Sequence, residues 1–523
     1  MRRVALALIV LSASLAACAA PTPTRRDVVV GLVGEPASVF ADDAGARVIA
    51  AAVTEPLVAL DARDEFVPRL AADVPTLENG DLEIDTGDPT APSGRLIATF
   101  RLRDGAVWQD GAPITAEDVR YAHDVDRDAP LGSELRWNAD RVDSVDVVDD
   151  HLVRVVYRAN ERWTNYPLAP RVLPRHILAN ADAATRAAYA REPVHAGAFS
   201  VVAWVRGYGV TLAAFKDHIG GPPALGRIEV RFFADRTAIL DALRKGLVDV
   251  APSPSLEADL GRTLDRFADT NSLDVYYKDV EALEVLHFGT RGSFADHAVR
   301  RAVELTVDRQ GIVDDIFAGR ARVPRSYLVP PLWAADESAP VARPDRDAAR
   351  AVLAQAGFSH GAYGILERGL ERLTVTMLVA AGSTGRLDAA RRVAGDLASI
   401  GIAVELSSRP AADVAAAVAK GDFDLALMPE TADDPALATE AWLGAVEPWF
   451  DVLAVAARRA PGQDEKRPLY VELQRIWSLA LPGLPLYQRL RIDVAGRSLS
   501  GIQPPPQDTA LTWNVAEWRF VTP

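Results

Sequence analysis

A single cysteine, Cys18, stands at the end of a short apolar leader, and it sets the conditions under which the rest of this chain must fold. Met1-Arg2-Arg3 is a positive start, Val4 to Leu15 is an apolar run of 12 residues, and Ala17 is the small residue before a cut at Cys18. Charge, apolar run and small residue in that order make a secretory signal, expected to be removed from the mature chain. The run is too short to cross a bilayer as a helix, which takes about 20 residues. No cysteine follows Cys18. An exported body without a disulfide must hold together by its core alone. At 523 residues the chain is long enough for about two to four domains that do so.

The balance of charge narrows the partners. The formal net charge is −15, and losing Arg2 and Arg3 with the leader makes the body more acidic still. Such a surface repels nucleic acid and anionic lipid headgroups. The segment Leu15-Ala16-Ala17-Cys18 resembles a bacterial lipoprotein signal. That resemblance implies that residues 1–17 are removed and that Cys18 is lipidated. Residues 18–26, with Pro21 and Pro23, then form the tether to the extracytoplasmic face of the cell membrane.

Periodicity beyond the tether alternates strands with helices. Asp27 to Leu32 reads as a valine-rich strand, and Gly45 to Val53 is helical in period. Ala71 to Arg95, rich in Gly, Pro, Asp and Thr, reads as an exposed excursion. Ile97 to Leu102 reads as a strand, Thr115 as a helix cap answered by Asp118, and Val142 to Tyr157 as a hairpin. One helix is expected over His176 to Tyr189. A second hairpin follows around Gly207 and Gly209, and then strand, helix and strand over Ile228 to Ala251. In the second half, strands at Leu283 to Phe288, Leu373 to Val379, Ala403 to Ser407 and Phe423 to Met428 alternate with helices. Those helices lie at Val299 to Ala318, Asp345 to Gln355, Leu387 to Ile400 and Ala411 to Lys420. Two such sets make an α/β protein with two sizeable lobes and a cleft between them, a common place for a ligand.

Several runs then match one family in order and spacing. They are Phe100-Arg101-Leu102-Arg103-Asp104-Gly105-Ala106-Val107-Trp108 with Ile114-Thr115-Ala116-Glu117-Asp118-Val119, Leu243-Arg244-Lys245-Gly246-Leu247-Val248-Asp249, and Val299-Arg300-Arg301-Ala302 with Val307-Asp308-Arg309. Ala349-Arg350-Ala351-Val352-Leu353, Gly421-Asp422-Phe423-Asp424-Leu425 and Leu484-Pro485-Leu486-Tyr487 complete the set. With these the chain resembles the extracytoplasmic solute-binding proteins of peptide- and nickel-type ABC importers, bacterial family 5. The resemblance implies a periplasmic-binding-protein-like fold of the large peptide-binding class. Lobe I would hold residues 27–60, 175–279 and 490–523, an inserted domain II residues 61–174, and lobe III residues 280–489. Trp108 reads as core packing, and Arg300, Arg301, Asp308 and Arg309 as structural ion pairs.

The family also implies where a solute would be held. In its peptide binders an acidic group after a Gly-x-Phe-Asp strand pairs with the peptide amine. Here that loop is Met428-Pro429-Glu430-Thr431-Ala432-Asp433-Asp434-Pro435, shortened and without the expected tryptophan. Asp433 is the candidate amine partner; alternatively Asp433 or Asp434 caps the helix beginning at Pro435. Glu35 falls in the loop leading to the cleft, or is a solvated turn residue. His287 enters the cleft with its strand, or is a satisfied core histidine. Tyr487 puts a phenol near the inter-lobe crossing and Trp137 in the inserted domain walls one side pocket, or each packs in the core. Two further departures from the family, His195-Ala196-Gly197-Ala198-Phe199 in place of a Gly-Thr-Gly-Pro-Tyr-like turn and Gly289 in place of an asparagine, are read as changes near the cleft.

The expected function is therefore capture of an oligopeptide or similar small solute by hinge closure, and its delivery to ABC permease and ATPase subunits. The receptor would be a lipid-anchored monomer. A nickel chelate is a second solute class. An envelope lipoprotein that lost solute binding and acts through a protein or lipid-pathway partner is the alternative. No cofactor, no metal site and no catalysis are expected. The chain lacks His-Glu-x-x-His, Gly-x-x-x-x-Gly-Lys and Gly-x-Ser-x-Gly, and its eight histidines are scattered.

Overall fold

The computed structural model describes residues 26–521 except 42, 88–93, 129–139, 160–165, 258–259, 432–433, 461–462 and 507–508. Its frame is a ten-stranded mixed sheet, counted over the described residues. From one edge the strands are Ala403–Arg409, Thr374–Ala380, Leu425–Thr431, Leu273–Phe288, Gly483–Gly496, Val250–Ala251, Asp27–Val33, Arg227–Phe233, Gly209–Ala214 and Phe199–Val205. Asp27–Val33 is buried at every interior position and pairs in parallel with Arg227–Phe233. A strand covered on both faces needs an unbroken apolar run, and Val28-Val29-Val30-Gly31-Leu32 supplies it. The helix Arg236–Arg244 then carries the chain over to Val250–Ala251, on the other side of Asp27–Val33.

Two long strands, Leu273–Phe288 and Gly483–Gly496, cross the middle of the sheet. Leu273 to Asp279 pairs with Leu490 to Gly496, Leu283 to His287 pairs with Gly483 to Gln488, and the register slips between Asp279 and Leu283. On one side of that slip the sheet buries Val28, Val30, Ile49, Phe199 and Trp518 on one face, and Ile239, Leu243, Leu264 and Ile492 on the other. Beyond it the faces bury Val299, Met377, Leu397 and Leu427, and Leu283, Tyr327, Trp442 and Trp477. A four-stranded antiparallel sheet, Leu82–Asp85, Arg95–Arg101, Leu152–Tyr157 and Val142–Asp149, forms a further body with the helix Ala116–Asp128 and its own core around Phe100 and Trp108. Mixed α/β layers around a large sheet are the architecture the alternating pattern demands. No helix among the described residues is long and apolar enough to cross a membrane.

Aspartates set many of the helix starts. Asp43, Asp182, Asp235, Asp296, Asp308 and Asp345 each accept a hydrogen bond from a backbone N–H in the first turn that follows, satisfying a donor the helix leaves orphaned. Two of these caps correct the sequence reading. Asp182 splits the expected helix at 176–189 into Arg175–Leu178 and Ala183–Tyr189, and Asp308 splits the one at 299–318 into His297–Thr306 and Arg309–Phe317. The excursion at 71–95 contains the strand Leu82–Asp85, paired with Arg95–Arg101.

Candidate functional site

The register slip divides the sheet into two halves, and the walls of a gap between them come from both. One wall carries Arg236, at the first turn of its helix, and Glu257. The other carries Ala380, Gly382, Ser383 and Ser408, and together they enclose a cavity of about 390 Å³. Ser383 caps the 15-residue helix Thr384–Ala398, and its hydroxyl lies 3.4 Å from Glu257 Oε2 across the gap. The amide dipoles of that helix direct partial positive charge to the same wall.

Behind Ser383 the wall is tied to a crossing strand. Arg386 and Glu284, 4% and 1% exposed, form an ion pair through Arg386 Nε and Glu284 Oε1. Arg386 Nη1 donates to Ala380 O at 2.8 Å. The Tyr487 hydroxyl lies 3.4 Å from Glu284 Oε2. A second recess lies beside the end of the strand Leu425–Thr431. Leu283, Tyr327, Val329, Leu332 and Trp442 give it apolar walls, and Glu430 and Thr431 line it as well.

Of the residues singled out in the sequence, three fall within the described residues. The Glu35 carboxylate accepts from Trp204 Nε1 and from the Gly207 N–H, both at 2.8 Å, and those two bonds, the indole's first, hold its pKa below the usual carboxylate range. Glu35 thereby fixes the hairpin turn beside it. His287 is buried and stacks on Trp442 with ring centroids 5.2 Å apart. Its Nε2 is 2.9 Å from Glu430 Oε1, within ion-pair reach but without hydrogen-bond geometry. Tyr487 is buried against Phe317, its ring centroid 4.5 Å away, and burial above all, then Glu284, pushes its phenol up. Cys18, Trp137 and Asp433 lie outside the described residues. Asp434 is the helix cap, accepting from Ala436 N at 2.7 Å.

One departure read as a change near the cleft, Gly289, has a packing cause instead, and the shared Gly197 is equally constrained. A Cβ on Gly289 would lie 2.1 Å from Phe423 O, and one on Gly197 would lie 2.3 Å from Val53 C, so neither position has room for a side chain. His195 is buried beside Trp108, ring centroids 5.5 Å apart. The ion pairs expected at 300–309 are likewise only partly present. Arg301 pairs with Glu304, but the bonds of Arg309 go to backbone carbonyls.

Nothing in the local sequence marks Glu284 and Arg386 as partners. Ser383-Thr384 before an apolar period is a cap signal that places the cleft wall. Among the described residues no group of three or more His, Cys, Asp or Glu side chains is arranged to hold a metal ion.

Comparison with known proteins gives a consistent picture. The model of the "bacterial extracellular solute-binding proteins, family 5 Middle" matches residues 65–445. Protein XP55 of Streptomyces lividans is 28% identical over 426 residues, covering 77% of this chain and 72% of that protein. The oligopeptide-binding protein AppA of Bacillus subtilis is 25% identical over 393 residues, covering 72% of this chain and 68% of its own length. Among solved structures, NikA from Brucella suis in complex with Fe(III)-EDTA superposes with a TM-score of 0.79 at 19% identity, over 95% of this chain and all of that one, a likeness of fold.

Proposed function

This chain belongs to the bacterial extracellular solute-binding proteins, family 5, and from that premise we propose that it captures an extended peptide outside the cell and presents it to an ABC permease. Members of this family are extracytoplasmic components of import systems and not enzymes. The observation that carries the reading is the gap between the two halves of the sheet, with Arg236 and Glu257 on one wall and Ser383 on the other. Two halves joined by two strands can rotate about the slipped segment, and a solute that touches both walls favours the closed form by its differential affinity. The peptide class is supported by the relative AppA, an oligopeptide-binding protein.

In this reading residues 27–60, 175–279 and 490–523 form one jaw, 280–489 the other, and 61–174 the insertion. The peptide lies extended, bound through its main chain. Asp433 takes the peptide amine, and Trp137 walls a side pocket. Glu35, His287 and Tyr487 are each engaged by neighbouring protein groups, and none of them lines the gap or the recess. Lipidated Cys18 holds the monomer to the membrane. Loss of solute binding has less to support it, because Gly289 is demanded by packing.

Native mass spectrometry of the full chain tests this: co-purified extended peptides are expected, weakened by at least about tenfold in Asp433→Asn and unchanged in Glu35→Gln. Retention of a metal chelate in place of peptide would overturn the solute class.

A further inference from the structure

A larger cavity, about 690 Å³, lies where the central strand Gly483–Gly496 begins, and it shares no lining residue with the gap or the apolar recess. Arg309 lines it and is 7% exposed. Its Nη1 donates to Pro324 O and Pro485 O, both at 3.1 Å. The opposite edge of the guanidinium, Nε and Nη2, carries no hydrogen bond among the described residues, and no carboxylate is paired with it.

The acids lining the cavity are occupied elsewhere: Glu304 by Arg301, Asp336 by the N–H and hydroxyl of Ser338. Arg325 donates to Ala339 O, and Arg475 pairs with Glu472. Four arginines against two acids leave the lining positive. Leu481 and Leu484 supply a buried apolar wall. Burial lowers the Arg309 pKa, and the charge of Glu304, itself paired with Arg301, only partly offsets it.

An Nε–Nη2 edge is the fork that donates to two oxygens of one carboxylate, and a buried guanidinium gains most from such a partner. We propose that this cavity is a second binding site, for a small organic carboxylate whose charged end meets Arg309 and whose apolar body lies against Leu481 and Leu484. The site is separate from the peptide cleft, and its test does not depend on that reading.

The full chain is titrated with 4-fluorobenzoate and, separately, with uncharged 4-fluorobenzamide, followed by fluorine NMR line broadening. The acid is expected to bind at least about tenfold more tightly than the amide, the worth of one charged, paired hydrogen-bonded contact. Arg309→Lys, which keeps the charge and loses the fork, should erase most of that difference. Ala342→Trp fills the cavity from its lining and leaves Arg309 intact, so it decides the matter if Arg309→Lys fails to fold; it should abolish binding. Equal binding of acid and amide, or undiminished binding in Ala342→Trp, overturns the site. Displacement of the acid by an equal concentration of inorganic phosphate overturns the carboxylate assignment.

Discussion

Replacing Arg386 by methionine removes one half of a buried ion pair that fixes the cleft wall. Glu284 is 1% exposed and would be left with the Tyr487 hydroxyl, 3.4 Å from one of its oxygens. Ala380 O would lose its 2.8 Å donor at the same time. Stranding one member of a buried pair costs about 3–5 kcal/mol. Replacing both by neutral groups of similar shape costs far less, since neither desolvated charge remains. Arg386→Met should therefore lower stability by about 3–5 kcal/mol, and adding Glu284→Gln should restore about 2 kcal/mol or more of it. The assay is urea denaturation followed by tryptophan fluorescence, with Trp442 and Trp477 reporting from the same half of the sheet. Because Ser383 lies one helical turn before Arg386, Arg386→Met should also weaken solute binding. A loss below about 1 kcal/mol, or a double variant no better than the sum of the single ones, would refute the reasoning.

Three other outcomes are expected. Burial first, then Arg171, pushes His195 down from its ordinary 6.5 to about 3, so the folded chain holds it neutral while the unfolded chain protonates it. Stability should fall as pH drops through that window, at up to about 1.4 kcal/mol per pH unit from this group; His195→Gln should flatten the slope of urea midpoints by one proton, and an unchanged slope would count against a neutral core histidine. Gly289→Asn, which installs the residue common in the family, should destabilise by more than about 2 kcal/mol, because Phe423 O stands 2.1 Å from where its Cβ would be; a thermal midpoint equal to wild type would contradict the close approach. Cys18→Ala should move the protein from the membrane fraction to the soluble one and abolish labelling by a palmitate analogue, whereas persistent labelling would place the lipid elsewhere.

The parts of the fold that showed in the sequence are those encoded by neighbours in the chain. Val28 to Leu32 is apolar without a break because both faces are covered, and Asp43, Asp235 and Asp345 announce helices by capping them. Gly421 ends its helix at φ 64°. The two crossing strands were legible only in pieces. Leu273–Phe288 begins with a half-exposed stretch and turns fully buried after the register slip, so no single period runs through its 16 residues. Pro468 interrupts the helical pattern of Gln463–Ala480.

The site is harder for the same reason. Ser383 meets Glu257 across 126 positions of sequence, and Arg386 meets Glu284 across 102. Partnerships of that span are made by topology and leave no local trace. Glu35 shows the converse: an acid in a cleft-bound loop is a fair candidate until the hairpin Phe199–Val205 and Gly209–Ala214 brings Trp204 and Gly207 to it. Gly289 looked like a lost ligand residue because a missing side chain and a forbidden one read alike in a sequence.

Closure of two jaws is tested most directly by the distance between them. With Cys18 replaced, the chain has no other cysteine, so Lys245→Cys and Lys420→Cys, both at exposed helix ends on opposite halves of the sheet, can carry spin labels. Pulsed electron spin resonance with and without the co-purifying solute should show the distance distribution narrow and shift when solute is present. One unshifted distribution in both states would mean a rigid body, and capture by closure would be wrong.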